Sequence, residues 1–175
     1  MSFDVAKARR LFPALDRQMN GRACIYLDNP AGTQVPVRVA EAISDTILHH
    51  NANLGGGFAT TVESTAIVEE AHMAMADLLG AKMLEEIIIG PNMTTLTYHL
   101  SRTLMRDWGP GDEIIVTQMD HEGNVGPWVQ AARDRGVDIR RLPFSTDSWQ
   151  IEPDVLKAAI NARTKLVALG YAVGL

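Results

Sequence analysis

From residue 85 onward the chain alternates between short β-branched runs and longer stretches with apolar residues at helical spacing. Residues 86–90, with Ile87, Ile88 and Ile89 in a row, read as a buried strand, and 93–107 as a helix with Leu96, Leu100 and Leu104 on one face. Trp108-Gly-Pro-Gly-Asp112 supplies a turn. A second strand follows over 113–117, then a helix over 124–135 that buries Val125, Trp128, Val129 and Ala132 and ends on Gly136 as C-cap. Residues 137–144 read as a third strand, 153–161 as a helix opened by Pro153, and 165–171 as a fourth strand. Strand and helix in alternation predict right-handed crossovers and a mostly parallel sheet with helices on both faces, so the fold class is α/β. The first 80 residues are mostly helical around one extended piece at 24–28, with helical spacing over 37–50 and over 62–80, where Ile67, Ala71, Ala74 and Leu78 share a face. The expectation is a single domain over 1–175, with residues 1–24 as an N-terminal helical arm.

Composition narrows the function classes. The chain has 175 residues, 46% hydrophobic and 21% charged, which is globular rather than disordered. Sixteen basic against 21 acidic residues give a net charge of -5, without the basic footprint of a nucleic-acid binder. A local anion site is still compatible with that charge. The single cysteine, Cys24, has no internal disulfide partner, and the first residues lack an apolar leader, so the expectation is a reducing, cytoplasmic compartment. No run approaches the ~18 apolar residues of a membrane helix, so no membrane partner is expected.

Parallel sheets bind ligands beyond the carboxyl ends of their strands, which directs attention to the loops there. Gly90-Pro-Asn-Met-Thr-Thr95 lies between a strand and a helix start. Free N–H groups and the positive helix end suit an anion, and two hydroxyls add donors. The same residues also read as a plain cap, with Asn92 or Thr94 closing the first turn. The Gly-Lys-Ser/Thr ending of a phosphate loop of the Walker type is absent. Asp120-His-Glu-Gly-Asn124 is the second such loop. His121 suits acid–base work, metal ligation or stacking on an aromatic ligand, and the loop equally reads as a polar turn capping the next helix. No second histidine at ligand spacing and no cysteine cluster accompany it, which argues against a metal.

The remaining candidates are weaker. Residues 28–33 either form a simple turn or bring Ala31 and Gly32 beside a ligand. The Gly-rich stretch 53–58 reads as a mobile or close-approach loop. His49 and His50, adjacent on a predicted helix, face apart, and His72 and His99 read as packing or surface residues. Cys24 behaves most simply as a small buried hydrophobe. No Gly-x-Ser-x-Gly elbow of a serine hydrolase is present.

Taken together, Tyr26-Leu-Asp-Asn-Pro-Ala-Gly-Thr33, Gly90-Pro-Asn-Met-Thr-Thr95 and Asp120-His-Glu-Gly-Asn-Val-Gly-Pro-Trp128 resemble, in order and spacing, loops of the class V aminotransferase family. The resemblance extends to its cysteine desulfurases and selenocysteine lyases, with the usual forms Tyr-Leu-Asp-Asn-Ala-Ala, Gly-Thr-Thr and Glu-His-x-x-Asn-x-x-Pro-Trp. The resemblance implies the fold of the large domain of type I pyridoxal-phosphate enzymes and pyridoxal 5'-phosphate as cofactor. It also implies a small amino acid as substrate and a homodimer as the assembly. It assigns Thr94 and Thr95 to the cofactor phosphate and His121 to stacking on the pyridine ring. Ala31 and Gly32 fall near the substrate carboxylate, and the Gly55 loop at an active site between protomers.

The departures are equally informative. Gly55 and Gly56 stand where desulfurases commonly carry His and Arg, and Tyr171-Ala172 where the family has a Ser-Asn pair. Family chains run to more than twice this length. The Asp that pairs with the pyridine nitrogen, the Schiff-base Lys and the desulfurase Cys all lie beyond the similarity. None of Lys7, Lys82, Lys157 and Lys165 follows a matching motif. The chain is therefore expected to be the N-terminal part of such an enzyme, an incomplete domain with no catalytic residue of its own and inactive alone. In the family sheet, residues 86–90 would also lack both ladder neighbours, so a marginal fold is expected. The alternative is a non-catalytic module that binds a phosphate ligand or drives oligomerisation.

Overall fold

The computed structural model describes residues 3–29 and 32–170. The chain divides into two compact units, Met1–Ile88 and Ile89–Leu175, and each is taken by itself.

The first unit opens with helix α1 (Val5–Arg9), capped by the Asp4 carboxylate on the Lys7 N–H, and a 3-10 turn (Pro13–Asp16). A short antiparallel hairpin follows, β1 (Gln18–Met19) against β2 (Arg22–Ala23). The N-terminal arm is thus helical only in part. Its Asn20-Gly21 turn has φ of 52° and 73°, the left-handed pair that a two-residue hairpin requires. Residues 24–28, expected as an extended piece, join no ladder. Two long helices complete the unit, α2 (Val37–His49) and α3 (Ala59–Leu79). His50, just past α2, places Nδ1 3.0 Å from Glu63 of α3 and Nε2 3.5 Å from Asp45, while His49 also reaches Asp45. No residue of α2 is buried, and Val39, Ile43 and Ile47, four residues apart, form an exposed apolar stripe along it.

The second unit carries the sheet. Residues 86–90 do not form the expected strand: Leu84–Glu86 is a 3-10 turn, and 87–90 run on without a partner, leaving Ile88 75% exposed. The apolar run is strand-like, but a strand is stabilised by its neighbours, and none pairs with it among the described residues. Helix α4 (Met93–Leu104) comes next, then the central strand β3 (Glu113–Thr117), helix α5 (Glu122–Arg135), β4 (Asp138–Leu142), helix α6 (Pro153–Ala159) and β5 (Thr164–Ala168). Each lies within a few residues of its predicted bounds, although Tyr171, the expected end of the last strand, lies outside the described residues. The strands are parallel in the order β4-β3-β5, which bears out the α/β expectation.

Every residue of β3 is buried. Ile114 and Val116 face Val125, Trp128, Val129 and Ala132 of α5, while Ile115 faces Leu142, Leu156 and Ala159 on the α6 side. One strand therefore builds both hydrophobic layers, as the two-residue alternation of a strand dictates. Gly136 ends α5 with φ of 69°, and the Val137 N–H returns to the Ala132 carbonyl.

At the amino end of β3 the Glu113 carboxylate is buried in a full set of donors. Arg140 Nη2 lies at 2.9 Å, Asn161 Nδ2 at 2.8 Å and Thr164 Oγ1 at 3.2 Å. The Arg140 hydrogen bond holds this carboxyl below the usual glutamate range, with Asn161 and Thr164 adding to it, against burial acting in the opposite sense.

Candidate functional site

The opposite end of the same strand carries the candidate chemistry. After Thr117 the chain turns back on its own hydroxyl. Thr117 Oγ1 accepts from the Asp120 N–H at 3.1 Å and donates to Asp120 Oδ2 at 2.6 Å. His121 is then the N-cap of α5, its Nδ1 accepting the Gly123 N–H at 3.0 Å and its carbonyl the Asn124 N–H at 2.8 Å. With Nδ1 occupied as an acceptor, Nε2 is the nitrogen left to face a ligand, and the residue is exposed. The cap is thus the histidine itself, not the Asp or Asn that helix-capping preference suggests.

Helix α4 begins beside it. Asn92 is the cap, accepting the Thr95 N–H on Oδ1 at 2.8 Å. The Leu96 N–H bonds to the Asn92 carbonyl. Among the described residues, the N–H groups of Met93 and Thr94 and the hydroxyls of Thr94 and Thr95 have no protein partner, in the first turn where the helix end is most positive. Capping and anion binding were alternatives for this loop in the sequence. The structure separates them, because Asn92 caps and the threonines remain available.

The two helix starts meet at Gly123. A Cβ added there would stand 2.7 Å from Thr94 Oγ1, 3.0 Å from His121 Nδ1 and 3.2 Å from Met93 Cε. Only a glycine allows Thr94 and His121 to approach so closely. The structure therefore brings Thr94 and His121 together, with Thr95 following Thr94 in the first turn of α4. Gly32 belongs to the other unit, where it is exposed and donates its N–H to the Asn29 carbonyl at 3.1 Å, and Ala31 lies outside the described residues. The Gly55 loop is also in that unit, with the Gly55 N–H on Thr65 Oγ1 at 3.2 Å and Gly56 pressed against Thr61, which fits the close-approach alternative of the two the sequence offers.

Residues 25–173 match the family described as Aminotransferase class-V. The chain belongs to the class V aminotransferase family. A Staphylococcus aureus (strain COL) protein named "Probable cysteine desulfurase" is 34% identical over 173 residues, covering 97% of this chain and 41% of the relative. Among solved structures, the cysteine desulfurase CsdA of Escherichia coli superposes with a TM-score of 0.77 at 29% identity, over 95% of this chain and 41% of that one. A cysteine desulfurase of Thermococcus onnurineus NA1 gives 0.82 at 25% identity, over 95% and 40%. This class V chain thus spans about two-fifths of the length of the relatives it matches.

Two functional positions escaped sequence reasoning. Gly123, between Glu122 and Asn124, reads in the sequence only as part of a polar turn, and its close approach to Thr94 and His121 emerges from the fold. Asp120 reads in the sequence as a capping candidate, whereas its three partners, Thr117, Asn124 and the distant Gly170, belong to three different pieces of backbone.

Proposed function

We propose that this chain forms the phosphate- and ring-binding part of a pyridoxal-phosphate active site in an enzyme of the cysteine desulfurase type, acting as a lyase or transferase on a small amino acid. The observation that carries the reading is the convergence of Thr94 and His121 on Gly123 at two neighbouring helix starts, with Thr95 next to Thr94 in the first turn of α4. The group fits these residues: unpaired N–H groups and two hydroxyls suit a phosphate, and an exposed imidazole suits the face of a pyridine ring. When bound, the cofactor supplies an electron sink for reaction at the amino-acid α-carbon. Thr94 and Thr95 would hold the phosphate, and His121 would orient the ring.

The amine that engages the cofactor aldehyde we assign to the remainder of the family fold. Lys157 and Lys165, the lysines of the same unit, pair with Asp154 and Asp112, and Asp112 lies before the amino end of β3, away from the site. The exposed stripe on α2 supports the homodimer expected of the family, and the unpaired Cys24 supports a cytoplasmic setting. A non-catalytic binding module is the weaker reading, since the relatives above carry desulfurase names.

The test is visible-region circular dichroism of the chain during titration with pyridoxal phosphate. A saturable induced signal is expected, with Thr94→Ala weakening affinity about tenfold, as loss of one hydrogen bond to a charged group implies. His121→Ala should reduce the size of the signal. No saturable signal, or one indifferent to both changes, would overturn the proposal.

A further inference from the structure

Asp120 makes contacts that capping does not require. Its Oδ2 accepts from Thr117 Oγ1 at 2.6 Å, at the end of β3, and from the Gly170 N–H at 3.1 Å, two residues past β5. Its Oδ1 accepts from Asn124 Nδ2 at 3.3 Å, in the first turn of α5, and Asn124 Oδ1 in turn accepts from Trp128 Nε1 at 3.4 Å. The directions in this chain are forced. An indole nitrogen only donates, so Asn124 must present its oxygen to Trp128 and its amide to Asp120. Asp120 must therefore accept on both oxygens, which a carboxylate does and a carboxamide does not.

From this geometry we infer that Asp120 is a positioning residue: it ties the exits of β3 and β5 to the first turn of α5 and thereby fixes His121, its neighbour in the chain, in place beside Thr94. The inference rests on the cofactor-site reading for its purpose, but the tether itself is a property of the chain. Trp128 is buried in the core between α5 and the sheet, so the anchor at the far end of the relay is rigid. Thr94 makes no part of the relay, which separates holding the loop from binding the ligand.

Two readouts test it. Amide hydrogen exchange of the chain, followed by NMR, reports the Gly170 and Gly123 N–H groups and the Trp128 indole. Asp120→Asn is expected to speed exchange at Gly170 and Gly123 about tenfold, as loss of charge-assisted hydrogen bonds implies. Asp120→Glu should partly restore protection, and Thr94→Ala should leave it unchanged. If Asp120→Asn does not fold, Asn124→Ala, which cuts only the α5 arm, is expected to speed Gly123 and spare Gly170. Unchanged exchange in Asp120→Asn, or equal effects at both glycines in Asn124→Ala, would overturn the tether. In the second readout, pyridoxal phosphate binding monitored by circular dichroism, Asp120→Asn should diminish the induced signal as His121→Ala does. A wild-type chain that binds no cofactor would overturn the cofactor reading, and the exchange data would still decide the tether.

Discussion

Gly123→Ala is expected to lower the affinity of the chain for pyridoxal phosphate at least about tenfold, because the added methyl group displaces the Thr94 hydroxyl, a hydrogen bond to a charged group, and disturbs His121 beside it. The new methyl group would stand 2.7 Å from Thr94 Oγ1 and 3.0 Å from His121 Nδ1, distances at which one or both side chains must move. Thr94 is β-branched and sits inside a helical turn, so its rotamers are few, and turning the hydroxyl away from Gly123 also turns it away from a phosphate. Helix propensity works in the opposite direction, since alanine favours a helix by about 1 kcal/mol over glycine. The propensity gain partly offsets the steric cost to folding, so the effect to read is the loss of binding. Gly126→Ala, one turn along the same helix, is the control: its methyl meets only the end of the exposed Glu122 side chain, which is free to swing aside. Induced circular dichroism on both variants decides the matter. Equal affinities for Gly123→Ala and Gly126→Ala would show that the contact between the helix starts does not shape the site.

At the other end of β3, Glu113→Gln is expected to cost about 2 kcal/mol at neutral pH, the scale of hydrogen bonds to a charged group. A glutamine brings an NH2 group into a place where every neighbour, Arg140, Asn161 and Thr164, is a donor. Arg140 is 42% exposed and can rehydrate, which holds the loss below the range for a broken buried pair. The pH dependence has a fixed sign. The folded-state carboxyl titrates below its unfolded value, so its contribution is complete above about 4.3, the unfolded value, and fades as the pH falls through the folded one. Urea unfolding of both proteins between neutral and acid pH should show the gap between wild type and Glu113→Gln closing in that acid range. A gap that stays constant would mean that packing, not charge, is what Glu113 contributes.

The sheet and its helices were legible because local pattern and tertiary environment agree there. The run Glu113–Thr117 is short and β-branched, and the helical spacing through Val125, Trp128, Val129 and Ala132 is the face that meets it. Residues 87–89 show where such reading ends: three isoleucines satisfy every local rule for a strand, yet a ladder needs a neighbour that local pattern cannot supply. The missed hairpin at Asn20-Gly21 is the reverse case, a turn signal with too little apolar sequence around it to be noticed. For the site, the threonines and His121 were accessible as residue types at the ends of predicted elements. The convergence of Thr94 and His121 on Gly123, and the bonds from Asp120 to Gly170 and from Glu113 to Asn161, join positions far apart in the chain and follow from the fold rather than from any motif.

The register of the sheet carries a kinetic consequence. Strand β3 meets β4 across the α5 crossover, whereas its pairing with β5 encloses roughly twice that length of chain, and each doubling of a loop adds about 0.6 kcal/mol of closure entropy. The β3-α5-β4 unit should therefore close first, with β5 docking onto a preformed edge. Gly170 arrives with β5, so its bond to Asp120 is among the last to form during refolding and among the first to open in local fluctuation. The His121 loop can be built early, but it is locked only when the final strand seats.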